Sequence, residues 1–200
     1  MADKSYLVAG LGNIGPEYEA TRHNVGFIVL DAWAQASNLA FENKRYGAMA
    51  VYSFKGRTFH LLKPSTYMNL SGSAVRYWAN ELEIPIENII VVCDDINLPF
   101  GTIRMRMNGS NGGHNGLRDI EEALQTRQYA RIRIGVGHDF AEGDQVNFVL
   151  SQFSLLQIPE LPSIATRVVS GIKTWALAGP QSAMTELNTK HESTENTPSQ

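Results

Sequence analysis

The sequence predicts a single α/β domain with a central mixed, mostly parallel sheet flanked by helices. Apolar runs typical of strands alternate along the chain with amphipathic runs typical of helices, as in α/β proteins. Residues 89–93 are all apolar and mostly β-branched, which is typical of a strand buried on both faces. We find no internal repeat or linker that would divide residues 1–185, so this length predicts one domain.

The N-terminal half of the chain predicts three strands and two helices. The first helix has apolar side chains at helical spacing and follows Asn24, a candidate N-cap. The second helix begins at Ser71, another candidate cap. Two of the strands flank Lys55-Gly56-Arg57, which indicates a hairpin turn. The predicted strands are residues 6–9, 48–54 and 58–62, and the predicted helices are residues 25–39 and 71–82.

The C-terminal half predicts three more strands, two more helices and a tail. Its second and third strands alternate polar and apolar residues, the period of a half-exposed strand. The strands are residues 89–93, 101–107 and 130–136, and the helices are residues 117–124 and 161–178. Residues 186–200 contain one hydrophobic side chain, Leu187. Because such a segment buries little apolar area, we expect a disordered polar tail after a folded domain of residues 1–185.

Composition excludes several classes of protein. The chain has 200 residues, 17 Lys and Arg against 20 Asp and Glu, and a formal net charge of -3. This is globular composition, so it excludes a collagen-like chain and a strongly basic nucleic-acid binder. The one cysteine, Cys93, suits a reducing compartment. With no long apolar run and no signal-peptide pattern, we expect a cytoplasmic protein without a membrane span.

Polar residues follow four of the predicted strands, and the carboxyl ends of strands are where open α/β sheets bind ligands. A histidine there can take a proton near neutral pH, a carboxylate can orient it, and asparagine amides can stabilise an oxyanion. The chain lacks G-x-S-x-G, and Cys93 ends an apolar run, so the pattern favours activated water over a covalent intermediate. The four groups are Asn13 with His23-Asn24, Tyr67-Met68-Asn69, Asp94-Asp95, and residues 108–116.

Three alternatives compete with this interpretation. Residues 10–15 match the dinucleotide fingerprint G-x-G-x-x-G, but Pro16 follows at once and the helical period starts only near residue 25. A metal site from His23, His114, His138 and Asp94 lacks the close ligand spacing of recognised sites, so we expect no metal. The polar groups are also compatible with solvated turns and with a cap on the helix after His114.

Arginines are concentrated in residues 102–138, which hold six Arg against three acidic residues. Arg104 and Arg106 share one face of a predicted strand, and Arg131 and Arg133 share one face of another. Because guanidinium groups suit phosphate, the two pairs predict a phosphate-binding rim beside the glycine-rich loop. A solvated strand face is the alternative.

Five blocks of sequence together resemble the bacterial-type peptidyl-tRNA hydrolases. The resemblance extends from Leu7 to about Trp175. Each block is weak alone, and their order and spacing make the set specific. The blocks are VAGLGN at 8–13; Tyr18 with TRHNVG at 21–26; KPSTYMNLSG at 63–72; Asp94-Asp95 with LPFG at 98–101; and GSNGGHNGL at 109–117, followed by RIRIGVGH at 131–138.

The resemblance implies a monomeric enzyme that hydrolyses the ester between the peptide and the 3′ end of tRNA without metal or cofactor. It implies His23 as the base that activates water and Asp94 as the residue that orients that base. Asn13, Asn69 and Asn115 would hold substrate and water, and Tyr18, Tyr67, Met68 and His114 would contact the tRNA end and the peptide. Arg104 and Arg133, with Arg106 and Arg131 as neighbours, would hold the 5′-phosphate of the acceptor stem.

The chain departs from the family pattern at Ile14, Asn111 and Asp139, and none of these is an implied catalytic residue. The rival hypothesis is a non-catalytic RNA-binding protein with the same fold. The presence of His23, Asp94 and all three asparagines argues against that rival, because a protein that only binds RNA has no need of that set.

Overall fold

The structure, a computed structural model, describes residues 4–189. These residues form seven strands and six α-helices, with short 3₁₀ turns between them. The strands are β1 Lys4–Gly10, β2 Glu42–Lys44, β3 Gly47–Phe54, β4 Arg57–Pro64, β5 Ile89–Asp95, β6 Ile103–Arg106 and β7 Ala130–Gly135. The helices are α1 Val25–Ala36, α2 Ser71–Glu81, α3 Asn115–Leu124, α4 Gln145–Val149, α5 Leu161–Ala178 and α6 Pro180–Asn188.

The strands form one sheet in the order β2-β3-β4-β1-β5-β7-β6. The central strands β4, β1, β5 and β7 are parallel to one another. The pairs β2–β3, β3–β4 and β6–β7 are antiparallel. The predicted mixed sheet is confirmed, and its parallel strands form the centre, where their carboxyl ends share one edge.

Apolar side chains alternate between the two faces of the sheet and build a core on each. In β1, Tyr6 and Val8 belong to the core under α1, α5 and α6, whereas Leu7 and Ala9 belong to the core under α2 and α3. Successive side chains of a strand point to opposite faces. Burial on both faces therefore explains why β1 and β5 are continuous apolar runs.

The predicted hairpin is confirmed at Lys55 and Gly56, which join β3 to β4 with φ values of 48° and 70°. Positive φ at both central residues is what a type I′ turn requires, and the twist of that turn matches the twist of the two strands it joins. The predicted cap at Asn24 is wrong, because its side chain makes no cap hydrogen bond and binds Asn13 instead. The sequence prediction also missed β2, α4 and α6.

The predicted start of the polar tail at residue 186 is also wrong. Helix α6 continues to Asn188, and the Leu187 side chain is buried against Gly171 of α5, where a β-carbon would leave no room for it. The Asn188 amide exchanges hydrogen bonds with the backbone of Met105, which covers part of the edge strand β6. The remainder of the predicted tail, residues 190–200, lies outside the described residues.

Across residues 4–189, no helix is both long and apolar enough to cross a bilayer.

Candidate active site

A cleft of about 600 Å³ opens at the carboxyl ends of the parallel strands. It gathers residues from every polar group that the sequence singles out. The predicted residues that line it are Asn13, His23, Tyr67, Met68, Asn69, Asp94, His114, Asn115 and Arg133. Four other predicted residues, Tyr18, Arg104, Arg106 and Arg131, do not line it.

Two glycines bring the first strand and the first helix close enough to build this cleft. A β-carbon on Gly10 would collide with the carbonyl oxygen of Gly26, and one on Gly26 would collide with the backbone of Leu11. The turn before α1 therefore lies directly against the end of β1. There the Asn24 amide accepts from the Asn13 N–H (2.8 Å) and donates to the Asn13 carbonyl (2.9 Å).

His23 is oriented by Asp94. Its Nδ1 lies 2.8 Å from Asp94 Oδ1, and the Asp94 side chain is 3% exposed at the end of β5. With Nδ1–H donating to the carboxylate, Nε2 is the nitrogen that remains for a ligand in the cleft. Burial alone would lower the pKa of His23, but the charge and hydrogen bond of Asp94 outweigh burial and raise that pKa above its ordinary value.

His114 makes a second hydrogen bond to the same carboxylate oxygen. Its Nε2 lies 3.0 Å from Asp94 Oδ1, and its Nδ1 accepts from the backbone N–H groups of Gly116 (3.1 Å) and Leu117 (3.3 Å). His114 is thus the N-cap of α3 and also a partner of Asp94. Burial of Asp94 opposes its ionisation, yet the two histidines dominate and hold its pKa well below the usual range.

The two histidines and Asp94 resemble a metal-ligand set, since their ligand atoms lie within 4.8 Å of one another. A nitrogen that binds a metal must carry no proton. His114 Nδ1 accepts from two backbone donors, so the ring proton is on Nε2, which donates to Asp94. His23, Asp94 and His114 are therefore placed to hydrogen-bond with one another, which is not the arrangement of metal ligands. His138, the other metal candidate, is exposed outside the cleft.

The three predicted asparagines differ in how they are held. Asn13 Oδ1 accepts from the Met68 N–H (3.0 Å), which fixes the amide and leaves its Nδ2 to donate elsewhere. Asn69 and Asn115 are exposed at the cleft, and neither side chain hydrogen-bonds to any residue within 4–189. Asn13 is therefore a preset donor, whereas the other two amides are available to a ligand.

Arginines of β7 hold the glycine-rich loop between β6 and α3 through hydrogen bonds to its backbone. Arg131 donates to the carbonyl oxygens of Gly109 (2.9 Å) and Ser110 (3.4 Å), and Arg133 also donates to Ser110. Asn111, one of the departures from the family pattern, donates from Nδ2 to Glu121 of α3 (3.1 Å). These contacts fix the loop that ends at His114.

The prediction that Arg131 belongs to a surface phosphate rim is wrong. Its side chain is fully buried between the Tyr129 ring and Glu121, with Nη1 3.3 Å from Glu121 Oε1. The alternating pattern identifies the strand face correctly, but α3 covers that face at Arg131. Arg106 remains exposed, and the half-buried Arg104 donates to the carbonyl of Asn188.

We expect Arg131→Gln to lower the free energy of unfolding by about 3–5 kcal/mol, because it leaves the buried Glu121 carboxylate short of a partner. Urea denaturation at neutral pH measures this loss. Arg106→Gln is the matched control on the same sheet face, and its exposed side chain predicts a change within about 0.5 kcal/mol. Equal stabilities of the two variants would contradict a structural role for Arg131.

The sequence prediction missed the apolar wall of the cleft. Val146, Val149 and Leu150, in and after α4, line it together with the polar residues. Arg22 holds this segment, since its Nη1 donates to Ser151 Oγ and to the Gln152 carbonyl, each at 2.5 Å. The signal in the sequence was weak, because five helical residues give no clear period and Arg22 carries no catalytic chemistry.

Two further predictions concern groups outside the polar cluster. Cys93 is buried, and burial raises the pKa of its thiol, as expected of an unreactive core residue. The glycine fingerprint at residues 10–15 leads into a 3₁₀ turn, Pro16–Tyr18, and α1 begins only at Val25. The helix N-terminus on which the dinucleotide interpretation depends is therefore absent from this position.

Comparison with known proteins gives a consistent assignment. Residues 7–196 match the family model described as peptidyl-tRNA hydrolase. The peptidyl-tRNA hydrolases of Cytophaga hutchinsonii and Phocaeicola vulgatus are each 52% identical to this chain over 185 residues, covering 92% of it and 98% and 99% of themselves. The crystal structure of peptidyl-tRNA hydrolase from Acinetobacter baumannii superposes with a TM-score of 0.86 at 31% identity, covering 94% of this chain and 96% of that one. This chain belongs to the peptidyl-tRNA hydrolase family.

Proposed function

We propose that this chain hydrolyses the ester bond between the peptide and the 3′ end of tRNA, releasing the peptide and a reusable tRNA, with water activated by His23. Family membership supports the reaction. The observation that carries the mechanism is the 2.8 Å hydrogen bond from His23 Nδ1 to buried Asp94, which leaves Nε2 as the available base in the cleft.

The first step is attack by water. His23 Nε2 takes a proton from a water molecule, and the hydroxide forms a bond to the carbonyl carbon of the ester. The imidazolium is stabilised by Asp94, which stays ionised because its pKa is lowered. The carbonyl oxygen becomes an oxyanion, for which the fixed Asn13 amide and the exposed Asn69 and Asn115 amides are the candidate donors.

The second step is collapse of the tetrahedral intermediate. The bond from carbon to the tRNA 3′ oxygen breaks, and the imidazolium of His23 returns its proton to the leaving alkoxide. The products are a free 3′ hydroxyl and a peptide carboxylic acid, which releases its proton to water and becomes a carboxylate. The chemistry needs no group beyond these side chains and one water, so we propose catalysis without metal or cofactor.

The substrate would lie across the cleft with its parts on different walls. Buried Met68 and the apolar residues of α4 offer a surface for peptide side chains, and exposed Tyr67 offers a ring for the terminal base. Arg104 lies opposite Arg133 across the β6–β7 pair, and Arg133 reaches the cleft. These two arginines are the candidate clamp for the 5′-phosphate, with Arg106 and Tyr18 as outer contacts.

We expect Arg133→Gln to raise KM at least about tenfold for a substrate with its 5′-phosphate, because a charge-assisted hydrogen bond to phosphate is lost. Steady-state kinetics with and without prior removal of that phosphate measure the effect. Arg133 also binds the Ser110 carbonyl, so a change in loop shape alone would weaken the binding of both substrates equally. An equal increase in KM for both would contradict the clamp.

The direct test of the proposed function is release of a labelled N-acetylaminoacyl group from tRNA by the purified chain. The non-catalytic alternative predicts binding to RNA that lacks an acceptor end, with no release of the label.

We also propose that the enzyme acts as a monomer in the cytoplasm. In support, residues of one chain complete the cleft, and the single cysteine is a buried free thiol.

A further inference from the structure

Asp94 accepts hydrogen bonds from two histidines on one oxygen. His23 Nδ1 and His114 Nε2 lie 2.8 Å and 3.0 Å from Asp94 Oδ1. Their rings are close to each other, with centroids 5.1 Å apart and planes inclined by 37°. The carboxylate that orients the base is therefore shared with a second donor, which the hydrolysis described above does not itself require.

The backbone decides which nitrogen of His114 carries the proton. Nδ1 accepts from the N–H groups of Gly116 and Leu117 at the start of α3, so it must present a lone pair. The proton is then on Nε2, which points at Asp94. His114 is thus a fixed donor to Asp94, and both of its ring nitrogens are already bound within the protein.

We propose that His114 is a positioning residue that holds Asp94 in place and limits how strongly this carboxylate stabilises the protonated form of His23. A carboxylate oxygen that accepts two hydrogen bonds is a weaker partner for each than one that accepts a single bond. His114 would in this way keep Nε2 of His23 free to act as a base closer to neutral pH. The inference rests on the proposed function, in which His23 is that base.

The other charged groups on the elements packed against the turn of His23 are bound elsewhere. Asp95 on β5 pairs with Arg133 (3.5 Å) and accepts from the Asn97 N–H, and Asp31 on α1 pairs with Lys63. Helix α4, which faces the turn of His23, has no ionisable side chain. Arg22, on the same turn, directs its guanidinium to Ser151, Gln152 and Gln157. The ionisable partners of His23 in residues 4–189 are therefore Asp94 on β5 and, through it, His114.

Two substitutions of His114 test the roles of its two ring nitrogens separately. In His114→Asn the amide oxygen occupies the place of Nδ1 and is a preferred N-cap, but the side chain is too short to reach Asp94. In His114→Gln the amide nitrogen occupies the place of Nε2 and retains a donor to Asp94, while the cap is lost. His114→Ser, another cap without the donor, replaces His114→Asn if that variant does not fold.

The experiment is the pH dependence of kcat/KM for N-acetylaminoacyl-tRNA, together with NMR titration of the His23 ring, which is assigned by its loss in His23→Ala. For His114→Asn we expect the acidic midpoint to rise by about 0.5–1 pH unit, with an activity loss of about three- to tenfold below the midpoint that recovers above it. For His114→Gln we expect a midpoint within about 0.2 unit of the unsubstituted enzyme and a Tm lower by about 2–4 °C.

The inference and the proposed function fail in different ways. If the unsubstituted enzyme releases no label, or His23→Ala keeps its activity, the proposed function or its base is wrong. If the enzyme is active and dependent on His23, but His114→Asn leaves the midpoint unchanged or lowers it, the role of His114 is overturned. An equal rise in both His114 variants would also overturn it, because the donor to Asp94 would then not be the cause.

Discussion

His23→Ala is expected to lower kcat/KM for N-acetylaminoacyl-tRNA by about a hundredfold to ten-thousandfold, the range for removal of a general base. The reason is geometric, because His23 binds buried Asp94 through Nδ1 and keeps Nε2 available in the cleft, whereas both ring nitrogens of His114 are bound within the protein. Ester release under initial-rate conditions measures the loss. His138→Ala is the control, since His138 is exposed outside the cleft. Loss of activity in His138→Ala alone would contradict the assignment.

The same prediction has a pH dependence with a definite sign. His23 acts as a base only when its ring is neutral, and Asp94 raises its pKa above the ordinary value. We therefore expect kcat/KM of the unsubstituted enzyme to fall as the pH falls through that raised pKa, with a midpoint above about 6.5. This acidic limb should be absent from the residual activity of His23→Ala.

Asp94→Asn is expected to lower kcat/KM by about a hundredfold to ten-thousandfold, because a neutral amide cannot stabilise the imidazolium that forms during attack. Without the carboxylate, burial alone acts on His23 and lowers its pKa. The acidic midpoint of the residual activity should therefore move to lower pH, opposite to the shift expected for His114→Asn. A midpoint that moves upward would contradict this account of Asp94.

Stability gives a second measurement on Asp94. Its pKa is lower in the folded protein than in the unfolded chain, so the ionised carboxylate contributes stability above the ordinary carboxyl pKa of about 3.9. That contribution is lost as the pH falls from about 3.9 towards the lowered folded pKa. Urea denaturation across this interval should show a steeper loss in the unsubstituted protein than in Asp94→Asn.

Much of the architecture follows from local patterns. Residues 161–178 predict a helix from apolar periodicity, and α5 has the same bounds. Residues 89–93 predict a doubly buried strand, and the first five residues of β5 are buried. The polar groups after β1, β4 and β5 meet at the cleft because parallel strands place their carboxyl ends at one edge.

Other features depended on contacts between distant residues. An alternating strand does not reveal what covers its polar face, and α3 buries Arg131 there through Glu121, ten residues away in sequence. A single leucine in a polar stretch does not predict a helix, yet Leu187 fits against Gly171 and extends α6. Helix α4 is too short for a period, although Arg22 fixes the segment that follows it.

The sequence by itself determined the α/β class, the family and the residue types of the cleft, because these depend on periodicity and on motifs in fixed order. Only the tertiary structure decided which arginine is buried, and that His114 and His23 share one oxygen of Asp94. The physical reason is that burial and hydrogen bonding are properties of pairs of residues. A charged side chain is buried only where another part of the chain supplies a hydrogen-bond or ion-pair partner for it, and otherwise it stays in contact with water.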